Sequence, residues 1–278
     1  MSIYNKVRVY LSHVMRITTI CLLSLLCLTT ARAQIGEYRN EFAVGVNGGI
    51  AMSSLGFVPE IPQNQLMGKT FGITLRYTGE KYFKSICALV AEVNYSQIGW
   101  DERIWDADDQ PVINNYTGEE EVYRRLVNYI QVPLFARLGW GRERSGLQAF
   151  FQIGPQLGYY LSEETDANFD IDHPNIYQRI SHISGPTVIQ AGEVYEFSNM
   201  YHMPVENKLD YGIAAGLGLE FSHRRLGHFM VEGRYYFGLG NIYGNSKRDY
   251  FAKSNYYNIV IKATYLFDIV KSRNSKIK

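Results

Sequence analysis

Two side chains in this sequence are spaced for nucleophilic chemistry: His182 and Ser184, separated only by Ile183. On a strand, residues two apart share a face, so a histidine there can take the serine proton. This pair falls instead among Gly185, Pro186 and Thr187, in the longest stretch without strand patterning. Oxygen ligands gather in two places, Asp166, Asp170 and Asp172 beside His173, and Asp106, Asp108 and Asp109. Neither group carries the glycine and closing glutamate of an EF-hand loop, so both read as acidic loops. Gly45, Gly48 and Gly49 lack the helix and lysine that complete a phosphate-binding loop. The expectation is therefore no catalytic residue, no metal, no cofactor and no enzyme.

A third polar set is more informative: Glu92, Arg137, Gln152, Gln156, Glu220, Glu232, Arg234 and Lys262. Each stands in a run where apolar residues alternate with polar or small ones. Eight such runs are expected as strands: Phe42–Ala51, Lys69–Tyr77, Ile86–Trp100, Val127–Trp140, Leu147–Leu161, Asp210–Ser222, His228–Gly240 and Tyr256–Phe267. In the sixth, Tyr211, Ile213, Ala215, Leu217, Leu219 and Phe221 share one face, and Gly212, Ala214, Gly216, Gly218, Glu220 and Ser222 the other. The same division holds for Phe71, Ile73 and Leu75 against Thr74 and Arg76, and for Ile130, Val132, Leu134, Ala136 and Leu138 against Gln131 and Arg137. It recurs for Phe229, Val231, Tyr235 and Phe237 against Glu232, Arg234 and Tyr236, and for Ile259, Ile261 and Tyr265 against Asn258, Lys262 and Thr264.

A face of glycines and a few charges encloses a small polar lumen, which leaves the large apolar face outside. After residue 33 no apolar run is long enough for a membrane helix, and lipid admits only helices and closed sheets. The fold expected is an all-β, eight-stranded, antiparallel up-and-down transmembrane barrel of the outer membrane. The gaps 78–85, 141–146 and 223–227 are short, and 52–68, 101–126, 162–209 and 241–255 are long. Short periplasmic turns and long outer loops account for that alternation. The short turns are basic, with Lys81, Lys84, Arg142, Arg144, Arg224 and Arg225. The two longest loops are acidic, including Asp101, Glu102 and Glu119 to Glu121.

Aromatics are expected as two interfacial belts. The outer holds Tyr95, Trp100, Tyr129, Tyr159, Tyr211, Tyr235, Phe237 and Tyr257, and the inner Phe42, Tyr77, Trp140, Phe151, Phe221, Phe229, Tyr265 and Phe267. Pro133 and Pro155 each remove a donor in mid-strand, which predicts bulges at both. An eight-stranded barrel is just wide enough to be filled by side chains. The eight polar residues named above therefore predict a packed structural network rather than a diffusion pore, with a proton or ion path as the alternative. Buried charges need partners, and placing Gly240 opposite Ser254 sets Glu232 opposite Lys262.

The N-terminus reads as an export signal. Lys6, Arg8 and Arg16 precede an apolar run from Ile17 to Leu28, then Ala31-Arg32-Ala33 as a cleavage site. The organisation expected is 1–33 cleaved signal peptide, 34–267 barrel and 268–278 a short basic periplasmic tail, with both termini of the mature chain periplasmic. Cleavage removes four of 28 Lys/Arg and no acid, leaving 24 against 27 Asp/Glu, a net of −3. Nothing in that balance suggests nucleic acid, and no nucleic-acid partner is expected. Cys21 and Cys27 leave with the signal, so Cys87 has no internal disulfide partner and faces lipid by parity.

Tyr129-Ile-Gln-Val-Pro-Leu-Phe-Ala-Arg-Leu138 and Phe151-Gln-Ile-Gly-Pro-Gln-Leu-Gly-Tyr-Tyr-Leu-Ser162 resemble two strands of the PorT-type outer-membrane barrels of the Bacteroidota. The resemblance covers the mature chain in layout and these two strands in motif. It implies an eight-stranded barrel in a Gram-negative outer membrane and a role in protein secretion or envelope assembly. A structural or interaction barrel is the reading adopted: a monomer in contact with outer-membrane lipid, meeting protein partners through loops 101–126 and 162–209. The alternative is a lipid-modifying enzyme resembling outer-membrane lipid A deacylases, with His182 and Ser184 as its only candidates.

Overall fold

The computed structural model describes residues 37–82, 84–105, 110–114, 117–142, 145–171, 201–223, 225–244 and 251–270. Among these residues the strands are β1 (Glu37–Val58), β2 (Gln63–Asn64), β3 (Leu66–Tyr82), β4 (Ser85–Arg103), β5 (Val122–Gly141), β6 (Gly146–Ala167), β7 (Leu209–His223), β8 (Gly227–Gly238) and β9 (Lys253–Val270). The two-residue β2 is an appendage on β4. The other eight form a ring in the order β1-β3-β4-β5-β6-β7-β8-β9, closed by antiparallel pairing of β1 with β9. Every long strand thus has two neighbours, and no edge is left to aggregate.

Alternation sets the two faces. Val46, Ile73, Leu89, Val93, Leu134, Ile153, Leu217, Val231 and Ile261 are exposed on the outer wall, and Thr74, Glu92, Gln152, Ala214, Glu232 and Lys262 are buried inside. So continuous an exposed apolar wall has no place in water. Its solvent is the hydrocarbon of a membrane.

The strands outrun their expected lengths. Crossing a bilayer takes about ten tilted residues, whereas β1 and β6 have 22 and β5 has 20. On β4, β5 and β6 the extra residues project past the apolar belt, where the outward side chains become Asp101, Arg124, Glu164 and Asp166. Pairing persists there because Trp100 to Arg103 still find partners in Val122 to Arg125.

The prolines do not cause bulges, contrary to expectation. The β4–β5 ladder steps from Ala91–Leu134 to Asn94–Gln131 across Pro133, and β5–β6 steps from Pro133–Gln156 to Ala136–Ile153 across Pro155, both without change of register. A missing N–H removes a bond, whereas a bulge would invert every later side chain and send Leu134 and Leu138 into the lumen. The register shift instead falls between Asn128 and Tyr129, where Leu161 is the extra residue. Val127, Asn128 and Tyr129 are consecutively buried there. The outer aromatic belt accordingly loses Tyr129 and also Trp100, both of which point inward. Tyr159, Tyr211, Tyr235 and Phe237 remain exposed at that end, and Trp140, Phe151, Phe221, Phe229 and Phe267 at the other.

Candidate functional site

The lumen is the site that the fold builds most deliberately. Its middle is a charge network. Glu92 on β4 accepts from Arg234 on β8 at 3.1 Å and from Lys262 on β9 at 2.5 Å. Glu232 accepts from Arg234 at 2.6 Å and lies 3.4 Å from Lys262. Gln152 donates to Glu232 at 2.9 Å, and Asn94 donates to Glu92 at 2.8 Å and accepts from Asn47 at 2.9 Å. Two carboxylates and two cations balance, as burial of charge requires. The Arg234 guanidinium also stacks over Phe135, 4.4 Å from its centroid.

Nearer the short turns lies a second cluster. Arg76 on β3 reaches Glu220 on β7 at 2.8 Å, and Arg137 on β5 pairs with the same carboxylate. His228 lies 2.7 Å from Glu220 and 2.9 Å from Asp268. Arg137 also covers the Phe150 ring at 3.8 Å and donates to the Met230 sulfur. The space left among Arg76, Arg137, Glu220 and His228 is about 30 Å³, room for a water or two.

Ring order gives these pairs their meaning. β4 and β8 are four steps apart in a ring of eight, and so are β3 and β7. Glu92–Arg234 and Arg76–Glu220 therefore each cross the full diameter of the barrel, at two heights. The bore is thus bridged by fixed ion pairs at both levels.

Above the network the filling turns apolar. Leu55, Phe57, Ile98, Trp100, Tyr123, Tyr129 and Tyr256 from the strands join Ile104, Val112, Tyr201, Val205, Ile242, Tyr243 and Phe251 from the loops in one buried cluster. Phe57 meets Trp100 edge-on at 5.5 Å and Phe251 at 4.6 Å. Arg125 donates to the Tyr243 hydroxyl at 3.0 Å and pairs with Glu163, and the Tyr123 hydroxyl donates to the Tyr201 carbonyl. Burial pushes the Tyr243 phenol up, against the pull of Arg125. The described parts of the long loops thus pack into that mouth of the barrel as a cap. One of them, 104–121, folds back on itself through bridges Trp105–Pro111 and Ile113–Glu120. Its alternation puts Ile104, Val112 and Asn114 down into the protein and leaves Trp105 and Ile113 about 40% exposed (40% and 39%).

All eight residues named from the sequence are buried on the inner face. Seven enter the two charge clusters, with Gln156 on the same face nearer the cap, and Glu232 stands opposite Lys262. Arg76, which parity also places inside, and Asn47, Asn94 and His228 join the clusters without standing among those eight. Their inward parity is the signal that finds them. Cys87 is half-buried and free. Among the described residues no group of acids, histidines or cysteines could hold a metal. His182, Ser184, Asp106, Asp108, Asp109, Asp172 and His173 lie outside the described residues, as do the signal peptide and 271–278 of the expected basic tail. The first three residues of that tail, Asp268 to Val270, instead complete β9, because β1 continues beside them: Asp268 pairs with Ala43 and Val270 with Phe42.

The profile of the family described as outer membrane protein beta-barrel domain matches residues 32–244. No curated protein matches the chain. Among solved structures, it is similar to the attachment invasion locus protein Ail of Yersinia pestis, crystallised with the heparin analogue sucrose octasulfate. That match has 11% identity, covers 82% of this chain and 99% of that one, and has a TM-score of 0.32. It is also similar to the outer membrane protein OprG of Pseudomonas aeruginosa (12%, 84% and 98%, 0.36) and to Neisserial surface protein A (8%, 81% and 97%, 0.37). At these identities and scores, nothing of their activities carries over.

Proposed function

Because this chain belongs to the outer membrane protein beta-barrel domain family, we propose that it is a closed, non-conducting barrel of the outer membrane that works by presenting its outer loops to a protein partner. The observation that carries the reading is the filling of the bore. Charge pairs cross the diameter twice, and an aromatic cluster fills the mouth on the long-loop side. What such a body offers is a rigid mount, and loops on rigid mounts are where binding concentrates. The loop 104–121 fits that role: its lower face is anchored in the cap, and Trp105 and Ile113 stand out. Tryptophan is a frequent anchor of protein interfaces. In this reading the short turns face the periplasm, and the partner belongs to secretion or envelope assembly, as the PorT-type resemblance implies.

The test has two arms. In planar bilayers the purified protein gives no stepwise conductance. In cells, a photo-crosslinking residue at Ile113 gives a discrete protein adduct that Trp105→Ser abolishes, while boiling still shifts the variant on SDS gels. Open-channel currents, or adducts indifferent to Trp105, overturn the proposal.

A further inference from the structure

The outer wall is not uniformly smooth. On the half nearer the short turns a groove of about 450 Å³ runs over β3, β4 and β5 and is bordered by Phe42 of β1; it is lined by Leu75, Tyr77, Leu89, Ala91, Leu134 and Ala136, together with Val90 and Phe135. Register explains the shape. One cross-strand row reads Tyr77, Leu89, Ala136, and the next reads Leu75, Ala91, Leu134. The two alanines lie on a diagonal between leucines, so the wall is low where its neighbours stand high. The groove also borders the place where Pro133 interrupts the β4–β5 ladder.

The chemistry changes beyond the groove's near end. About 13 Å further along β4, at the strand rise of about 3.3 Å per residue, Ser85 pairs with Trp140, whose indole donates to the Ser85 hydroxyl at 2.8 Å. That pairing brings together two neighbouring turns, which expose Lys84 and Arg142. The nearby Glu80 is engaged by the Tyr82 hydroxyl. An apolar trough leading to an interfacial tryptophan and two exposed cations has the outline of one anionic amphiphile.

We propose that this groove is a specific binding site for an anionic phospholipid of the periplasmic leaflet, its acyl chain along Ala91 and Ala136 and its phosphate at Lys84 and Arg142. The source leaflet rests on the orientation adopted above, whereas the groove itself does not.

The test is native mass spectrometry of the full protein released from micelles doped equally with palmitoyl-oleoyl phosphatidylglycerol and phosphatidylcholine, which share acyl chains. Two basic side chains at a membrane surface give about a 30-fold preference for the anionic lipid. Ala91→Phe/Ala136→Phe should lose most adducts of both lipids, and Lys84→Glu/Arg142→Glu should keep adducts but lose the preference. Each variant is first checked for a mobility shift on boiling, and Ala136→Leu replaces the double variant if that one does not fold. Unchanged adducts in the groove variants, or an unchanged preference in the charge-reversed one, overturn the site. Orientation is read separately: with Cys87→Ser, a cysteine at Lys84 should resist an impermeant maleimide in intact cells. Labelling there overturns the periplasmic source but leaves the bilayer recordings, and the non-conducting reading, unaffected.

Discussion

Replacing Glu92 by Gln asks whether charge balance holds the lumen together. Glu92 and Glu232 face Arg234 and Lys262, and none of the four is more than 5% exposed. The substitution keeps the shape but removes one charge, so both cations must share Glu232. At 3.1 Å and an effective dielectric of about 20, the Glu92–Arg234 attraction alone is about 5 kcal/mol before desolvation is counted. Breaking a buried pair leaves the surviving charge buried, which typically costs about 3–5 kcal/mol, and that is the loss expected for Glu92→Gln. Lys262→Met should cost a similar amount, for it leaves a carboxylate in excess. Together the two changes restore neutrality, so the double variant should recover about 1–3 kcal/mol relative to the sum of the single losses. The assay is a urea titration in lipid vesicles, with folded fraction read from the mobility of unboiled protein and from tryptophan fluorescence. Strictly additive losses, or a Glu92→Gln loss below about 1 kcal/mol, would refute the claim that these four side chains act as one neutral unit.

Three further outcomes follow from the same geometry. Glu220→Gln should destabilise more than Glu92→Gln in the same titration, because it strands Arg76 and Arg137 together on one side of the bore; an equal or smaller loss would show that water, not Glu220, compensates them. Trp100→Ala removes a ring that Phe57, Tyr243 and Arg125 surround; a loss of about 3–5 kcal/mol, confined to the cap, should speed proteolysis within 104–121 while the boiling-dependent shift persists. With Cys87→Ser as background, a nitroxide at Leu217 should be relaxed by oxygen dissolved in lipid and one at Gly216 should not, since Leu217 is 68% exposed and Gly216 faces the lumen; comparable relaxation at both would overturn the assignment of faces.

Much of this architecture is legible from residue types. Leu217, Leu219 and Phe221 alternate with Gly216, Gly218 and Glu220 without a break, and on a closed sheet that suffices to say which face meets lipid. The inner position of Glu92, Arg137, Glu220 and Lys262 follows from the same parity. Local pattern misleads where it is asked about neighbours. Pro133 and Pro155 imply bulges when each strand is considered alone, yet the paired strands on either side hold the register and absorb the lost bonds as gaps. Trp100 and Tyr129 sit at strand ends in the sequence, where aromatics belong to a membrane interface. The strands in fact run on past the membrane, and both rings are inside.

The sequence alone determined that a sheet of this size must close, and which half of its side chains it must enclose, because alternation is a property of each strand by itself. It could not determine who meets whom across the bore. Glu92 and Arg234 are 142 residues apart, and Arg76 and Glu220 are 144 apart. Their pairing depends on closure bringing β4 opposite β8 and β3 opposite β7, and on the stagger of every ladder between them. Nor could alternation reveal the cap or the groove. Tyr201, Tyr243 and Phe251 come from loops without periodicity, and the dip at Ala91 and Ala136 exists only once three strands are laid in register. Face is a local quantity with a period of two residues; opposition, filling and surface relief are sums over the whole ring, and only the closed tertiary structure performs them.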